Sequence, residues 1–133
     1  MLITEIETIM KQDFLKDILE HKKKTLEQKQ AYYEGLKKNI KATTHTRYSL
    51  FKKAICKPGR INLIAEIKKA SPSAGLIRDR FDPVDLARIY SQSGADAISV
   101  VTEEKYFLGK PAYLRHVSDT INVPVLTDRK SVV

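Results

Sequence analysis

The stretch Ile61-Asn62-Leu63-Ile64-Ala65-Glu66-Ile67-Lys68 decides the fold. Its run of apolar residues after Pro58-Gly59 is typical of a short strand. Side chains alternate along a strand, so Glu66 and Lys68 share one face with Ile64, and only apolar residues lie on the other. The apolar face predicts a cover of helices. The remaining face then presents a carboxylate and an ammonium group at the carboxyl end of the strand.

Two more strand-like runs follow, at Ala97–Val101 and Val123–Leu126, and a helix is predicted before each. Asp82-Pro83 supplies an N-cap and a first-turn proline for one helix, which Gly94 is placed to end. Pro111 opens the other helix. The order strand, helix, strand, helix, strand predicts an α/β fold with parallel strands, either an open sheet or a barrel. In both architectures the functional groups lie at the carboxyl ends of the strands.

Residues 1–58 form a separate helical and basic extension, and residues 59–133 carry the α/β pattern. Asp13 is a candidate N-cap for a first long helix, and residues 43–46 read as a break before a short second helix. Up to Arg60 there are 14 Lys and Arg residues against 7 Asp and Glu, whereas from Ile61 onward there are 10 against 9. The net charge of +8 therefore belongs almost wholly to the extension. Because its runs of lysines are mixed with glutamates, we interpret it as a solvated helix surface and expect no nucleic-acid partner.

Composition excludes several classes of protein. No run reaches the roughly 18 consecutive apolar residues of a membrane span, and the N-terminus lacks a signal pattern, so we expect no membrane partner and a cytoplasmic location. Cys56 is the single cysteine, which excludes an internal disulfide and favours a small packing residue. The residue spacings indicate no metal site.

The loops after the first two strands add candidate site residues. Ser71, Pro72 and Ser73 offer hydroxyl groups and a stiff turn beside Lys68. After the second strand, Thr102-Glu103-Glu104-Lys105-Tyr106-Phe107 ends in two aromatic residues, which either line a pocket for a planar ligand or cover the barrel rim. Both loops are predicted at the same end of the sheet.

These motifs together resemble the indole-3-glycerol-phosphate synthase family. The likeness covers roughly residues 61–126 and rests on the order and spacing of several segments. They are Leu63-Ile64-Ala65-Glu66-Ile67-Lys68-Lys69-Ala70-Ser71-Pro72-Ser73, Gly75-Leu76-Ile77, Phe81-Asp82-Pro83, Gly94-Ala95-Asp96-Ala97-Ile98-Ser99-Val100, residues 102–107, Gly109 and Val123-Pro124-Val125-Leu126. The basic helical lead-in is similar to the extra N-terminal segment of the family.

The resemblance implies a (βα)8 TIM barrel, of which this chain carries about three βα units after its helical extension. It implies a tryptophan-biosynthesis lyase, a decarboxylase that converts 1-(2-carboxyphenylamino)-1-deoxyribulose 5-phosphate to indole-3-glycerol phosphate, CO2 and water, with no cofactor and no metal. By motif, Lys68 would hold the anionic groups of this phosphorylated small molecule, with Glu66 as the carboxylate beside it. Ser71, Pro72 and Ser73 would line the substrate site, and Phe107 would pack on the anthranilate ring. The resemblance is also compatible with fusion to, or partnership with, other enzymes of tryptophan biosynthesis.

The sequence departs from the family pattern after Leu126. The family continues there with one basic or variable residue and then Lys-Asp-Phe, whose lysine is the general acid, but Asp128 stands in the place of that lysine. Lys130 has the same strand parity and lies two residues, or ~6–7 Å, further along. Displacements of about 1 Å already impair catalysis. The later strands, which in the family carry a second catalytic carboxylate and the phosphate-binding loops, are also absent, and three parallel strands cannot close a barrel. We therefore predict a truncated barrel that is inactive on its own.

Two alternatives remain open from the residues. One is a non-catalytic interaction module, in which the basic helical arm binds a partner or nucleic acid and the barrel remnant serves as a scaffold. The other is a different phosphate-binding barrel enzyme, such as phosphoribosylanthranilate isomerase. The pair of Glu66 and Lys68, followed by the Ser-Pro-Ser loop, argues against this alternative.

Overall fold

The computed structural model describes residues 2–39 and 46–127, with the side chains of residues 14–35, 37 and 50–127. Two compact units, Met1–Thr43 and Thr44–Val133, divide the chain. No helix in this described part is long and apolar enough to cross a membrane. The predicted division at residue 58, between the family's N-terminal extension and its barrel, stays a prediction.

The described part of the first unit, residues 2–39, contains two helices, α1 (Leu2–Gln28) and α2 (Gln30–Asn39). The prediction that Asp13 caps the first helix is wrong, because α1 runs through that position without interruption. Proline is absent from both helices and glycine occurs only at Gly35, so nothing in the sequence ends α1 earlier. Of the break predicted at residues 43–46, residues 43–45 lie outside the described residues, and Thr46 begins the next helix.

The second unit contains the remaining elements in chain order. They are α3 (Thr46–Ile55), β1 (Ile64–Ile67), β2 (Ala70–Ser71), β3 (Gly75–Leu76), α4 (Pro83–Gln92), β4 (Ala97–Val100), α5 (Pro111–Ser118) and β5 (Val125–Thr127). Strands β1, β4 and β5 form one sheet in the order β1-β4-β5, and both pairings are parallel. The predicted strand–helix–strand order is therefore confirmed, as a partial βα fold. Strands β2 and β3 make a separate antiparallel ribbon.

The core lies between the sheet and the two helices that connect its strands. Ile67, Ile98 and Val100 project from the sheet and are fully buried against the helices. Their helical neighbours in the core are Leu86, Ala87 and Val117. Each such side chain contributes about 1.5–3 kcal/mol when it is removed from water. The packing of Ile67 on the helix side shows that the alternation predicted for β1 is correct.

Helix α4 begins as the sequence predicts. The Asp82 carboxylate accepts hydrogen bonds from the backbone N–H groups of Val84 at 2.8 Å and Asp85 at 3.1 Å. Pro83 occupies the first turn, where its missing N–H costs nothing. The chain leaves the helix through Gly94 with φ +93°, a conformation that favours glycine.

Asp96 fixes the segment after α3 to the amino end of the sheet. Its carboxylate is buried and accepts hydrogen bonds from Lys57 Nζ at 2.8 Å, from Arg60 Nη2 at 2.8 and 3.1 Å, and from the Leu63 backbone N–H at 2.9 Å. The Lys57 hydrogen bond, followed by the Leu63 N–H and the charge of Arg60, lowers the pKa of Asp96 below its ordinary value. Cys56, just before this segment, is exposed, so the prediction of a packing residue there is wrong.

Candidate active site

An ion pair stands at the carboxyl end of β1. Lys68 Nζ lies 2.8 Å from Glu66 Oε1. Glu66 is the register partner of Ser99 on β4, so both residues lie on the face of the sheet opposite to the helices. The two side chains are 47% and 33% exposed for Glu66 and Lys68 respectively, which leaves both charged groups accessible to a ligand. The alternation of side chains along β1 thus places Glu66 and Lys68 on one side, as the sequence predicts.

The segment after Lys68 is a ribbon rather than the simple loop that the sequence predicts. Ala70 pairs with Leu76 and Ser71 pairs with Gly75, and Gly75 has a φ of +62°. Within the turn, Ser71 Oγ accepts a hydrogen bond from the Ala74 N–H at 3.2 Å and lies 3.4 Å from Ser73 Oγ. Pro72 lies between the two serines. The ribbon therefore holds two hydroxyl groups close together, three and five residues after Lys68.

A buried carboxylate organises the loop after β4. Glu103 Oε2 accepts hydrogen bonds from the backbone N–H groups of Tyr106 at 2.6 Å and Phe107 at 3.2 Å. Lys105 Nζ lies 5.0 Å from the centre of the Tyr106 ring, a cation–π distance. The residues around Phe107 are thus held by the side chain of a residue four positions earlier.

Gly109 closes the same loop. Its N–H donates a hydrogen bond of 2.7 Å to the Glu103 carbonyl oxygen. A Cβ atom at this position would lie 2.3 Å from the Val101 carbonyl oxygen, which is far inside van der Waals contact with backbone. Only glycine allows the chain to return this close to the end of β4.

The two loops are joined directly. The Ala70 N–H donates a hydrogen bond of 3.2 Å to the carbonyl oxygen of Phe107. The Ile77 N–H donates one of 2.9 Å to the Lys69 carbonyl, which keeps the ribbon beside the end of β1. The strand ends of β1 and β4 thus carry one connected rim, which includes the candidate site residues Glu66, Lys68, Ser71, Pro72, Ser73 and Phe107.

The rim combines a cation, a carboxylate, hydroxyl groups and an aromatic ring. An ammonium group beside hydroxyls suits an anionic ligand, and an aromatic ring suits a planar one. Among the described residues, no three His, Cys, Asp or Glu side chains are grouped so that they could hold a metal ion. A surface depression of about 440 Å³ beside α4 is lined by Arg78, Arg80, Asp82 and their neighbours, and it contains none of the predicted site residues.

The sequence predicts that the candidate site residues lie at one end of the sheet. It does not predict that Glu103 and Gly109 hold the loop after β4 in place. Glu103 and Gly109 lie within the quoted motifs, and the only available signal was a glutamate and a glycine at fixed positions around an aromatic pair. Asp128 stands in the place of the family's general-acid lysine, and Lys130 lies two residues further along. Both lie outside the described residues.

Comparisons with a family model and with curated proteins point to the same family. A family model described as indole-3-glycerol phosphate synthase matches residues 15–132. The synthase of Geobacillus kaustophilus strain HTA426 is 57% identical over 77 residues, which cover 57% of this chain and 30% of that protein. The synthase of Geobacillus thermodenitrificans strain NG80-2 is 54% identical over 77 residues, again 57% of this chain and 30% of the relative.

A third relative, the synthase of Carboxydothermus hydrogenoformans, is 54% identical over 68 residues, which cover 51% of this chain and 26% of its own length. The chain thus matches about 30% of the length of its curated relatives. The family model, in contrast, covers most of the chain, including the ion pair, both loops and all three parallel strands. This protein therefore belongs to the indole-3-glycerol phosphate synthase family.

Proposed function

We propose that the chain supplies one side of an indole-3-glycerol phosphate synthase active site. The reaction would close a ring on 1-(2-carboxyphenylamino)-1-deoxyribulose 5-phosphate, with loss of CO2 and water, and the class would be a carboxy-lyase. The observation that carries the proposal is the Glu66–Lys68 ion pair, accessible at the carboxyl end of β1 in a chain of this family. The carboxyl ends of strands are where barrel enzymes place their chemistry.

Each rim residue would have a distinct role. Lys68 would bind an anionic group of the substrate through its ammonium, and Glu66 would orient that ammonium from 2.8 Å. Ser71 and Ser73 would donate hydrogen bonds to substrate oxygens, with Pro72 shaping the turn. Phe107 would pack against the anthranilate ring. A charge-assisted hydrogen bond of the kind assigned to Lys68 contributes about 1.5–3 kcal/mol.

We infer low turnover for this chain alone. The family resemblance places a general-acid lysine where the sequence has Asp128. General acid catalysis contributes about 10²–10⁴-fold to a rate. We also propose a cytoplasmic location and a reaction without a cofactor, with a phosphorylated small molecule as substrate. Association with other enzymes of tryptophan biosynthesis would involve surfaces other than the rim.

The first experiment measures indole-3-glycerol phosphate formation by the purified chain beside a full-length relative such as the Geobacillus kaustophilus synthase. We expect a rate at least ~100-fold lower than that of the relative, because the positioned acid is missing. Turnover within a few fold of the relative would contradict the inference of low activity.

The second experiment measures the role of Lys68 without turnover. Anthranilate is fluorescent, so its binding to the chain can be titrated directly. We expect Lys68→Gln to weaken anthranilate binding about tenfold or more, since it removes a charge-assisted contact. The matched control is Lys69→Gln, the same change one residue along and on the other strand parity, which should bind as the unchanged protein does. Equal effects of the two substitutions, or no binding by the unchanged chain, would contradict the assigned role.

A further inference from the structure

Four polar side chains are buried in the described part of the second unit, and three of them are hydrogen-bonded. The Asp96 carboxylate accepts hydrogen bonds from two cationic side chains, and that of Glu103 accepts them from two backbone N–H groups. Thr102 Oγ1 lies 3.3 Å from Thr127 Oγ1. The fourth residue is Ser99, which is 8% exposed and whose hydroxyl has no hydrogen-bond partner among the described residues. Burial of a hydroxyl group without a hydrogen bond is unfavourable, and Ser99 is in this respect the exception.

The Ser99 side chain lies on the same face of the sheet as the Glu66–Lys68 ion pair. Its neighbours in β4, Ile98 and Val100, are fully buried against the helices, so Ser99 projects to the opposite face. Its register partners are Glu66 on β1 and Leu126 on β5. Neighbouring strands lie about 4.8 Å apart, so the hydroxyl stands beside the base of the Glu66 side chain. Ser99 is the polar residue of β4, and it adjoins the ion pair.

The Ser99 hydroxyl opens onto the space that the ion pair borders. In the part of the chain that the structure describes, no side-chain nitrogen or oxygen is both completely enclosed and without a hydrogen-bond partner. Because Ser99 Oγ has no partner, it must keep some contact with the space above this face of the sheet. Leu126 offers no acceptor, and the Glu66 carboxylate is paired with Lys68 Nζ at 2.8 Å. A hydroxyl held by a strand and left without an internal partner is preorganised to bond to a ligand.

We propose that Ser99 is a further substrate-binding residue, whose hydroxyl donates a hydrogen bond to the anionic group that Lys68 binds. This inference rests on the proposed function, and it names a second contact for the carboxylate of a planar aromatic ligand. An ammonium group and a hydroxyl group on adjacent strands can each donate to one of the two oxygens of a carboxylate. The Lys68 contact supplies the opposite charge, and the Ser99 contact fixes the direction in which the carboxylate points.

The test measures the binding of anthranilate, by its fluorescence, to the full chain and to two serine variants. We expect Ser99→Ala to weaken binding about tenfold, because a hydroxyl that donates to a charged oxygen is lost. The matched control is Ser118→Ala, the same change at an exposed serine at the end of α5, which should bind as the unchanged protein does. The urea midpoint of Ser99→Ala should equal or exceed that of the unchanged protein, since the removed hydroxyl has no partner within the fold. A serine with only a structural role would show the reverse, a lowered midpoint with unchanged binding.

A double-mutant cycle with Lys68→Gln tests whether both residues hold one ligand group. If they do, Ser99→Ala should weaken binding by less than about threefold once Lys68 is replaced, because the carboxylate is no longer held beside the hydroxyl. Additive effects of the two substitutions, a lowered urea midpoint for Ser99→Ala, or equal binding by Ser99→Ala and Ser118→Ala would overturn the role of Ser99. Lys68→Gln would still report on the proposed function in those cases. Absence of anthranilate binding by the unchanged chain would instead contradict the proposed function and, with it, this inference.

Discussion

The backbone N–H of Ala70 donates a hydrogen bond of 3.2 Å to the carbonyl oxygen of Phe107. This bond joins the ribbon after β1 to the loop after β4, two segments that are far apart in sequence. The ion pair of Glu66 and Lys68 stands next to the first segment, and Phe107 belongs to the second. The rim is therefore a single structure, and a substitution that displaces one loop should also displace the other.

Loss of the Glu103 carboxylate should loosen the loop that carries Phe107. Glu103→Ala removes the acceptor of the Tyr106 and Phe107 N–H groups, and we expect a loss of about 1.5–3 kcal/mol in the free energy of unfolding. Urea denaturation measures this loss, and faster hydrogen exchange at residues 106 and 107 would locate it. Glu104→Ala, at the exposed neighbour, should change stability by less than about 0.5 kcal/mol. Equal effects of the two alanines would contradict the structural role of Glu103.

The glycines at positions 109 and 35 should respond to alanine with opposite signs. Gly109→Ala places a Cβ atom 2.3 Å from the Val101 carbonyl oxygen, and we expect a loss of about 1–3 kcal/mol through backbone displacement. Gly35 lies within α2 with no atom near its Cβ position, so Gly35→Ala should favour the helix by about 0.5–1 kcal/mol. Thermal unfolding followed by circular dichroism measures both. A neutral Gly109→Ala would show that the loop does not approach β4 as closely as described.

Asp82 should stabilise α4 through its cap. Asp82→Ala removes the acceptor for the Val84 and Asp85 N–H groups, and we expect a loss of about 1 kcal/mol. Asp82→Asn keeps a side-chain oxygen acceptor and should retain most of the stability. The midpoint of urea denaturation distinguishes these results. Equal losses for alanine and asparagine would assign the effect to the charge of Asp82 at the helix N-terminus rather than to its hydrogen bonds.

Asp96 should make stability depend on pH. Its pKa in the folded protein is lowered from the ordinary value of 3.8, chiefly by the hydrogen bond from Lys57. A lowered folded pKa means that the stabilisation is complete above the unfolded pKa and is lost as the pH falls through the folded value.

We expect Asp96→Asn to lower the urea midpoint at pH 7 and to differ little from the unchanged protein well below pH 3.8. The control Asp119→Asn changes an exposed carboxylate 3.6 Å from Arg115 and should have little effect at either pH. A midpoint difference for Asp96→Asn that persists unchanged in acid would contradict the role of its charge.

The spacing of apolar residues, together with the capping residues, prolines and glycines at the ends of elements, predicted most of the second unit. The start of α4 followed from Asp82 and Pro83, because capping depends on residues adjacent in sequence. The common side of Glu66 and Lys68 followed from strand alternation alone. The sequence does not predict the start of α1, because Asp13 is a residue type typical of an N-cap, and such a residue also occurs inside helices.

The contacts that hold the site could not be predicted in the same way. The burial of Glu103 depends on the loop folding back over the end of β4, and the approach of Gly109 to Val101 depends on the same path. Asp96 accepts hydrogen bonds from Lys57, which lies 39 positions earlier in the chain, and from Arg60, which lies 36 positions earlier. Periodicity reports which face a residue occupies, but such pairings are fixed only by the tertiary course of the chain.

The most direct measurement is a two-dimensional ¹H–¹⁵N NMR titration of the chain with anthranilate and, separately, with inorganic phosphate. We expect the amide signals that move to cluster on the rim, at residues 66–73 and 103–107, and the movements to disappear in Lys68→Gln. Shifts confined to residues 78–89 beside α4, or shifts on the rim that persist in Lys68→Gln, would contradict the claim that the Glu66–Lys68 pair forms part of a substrate site.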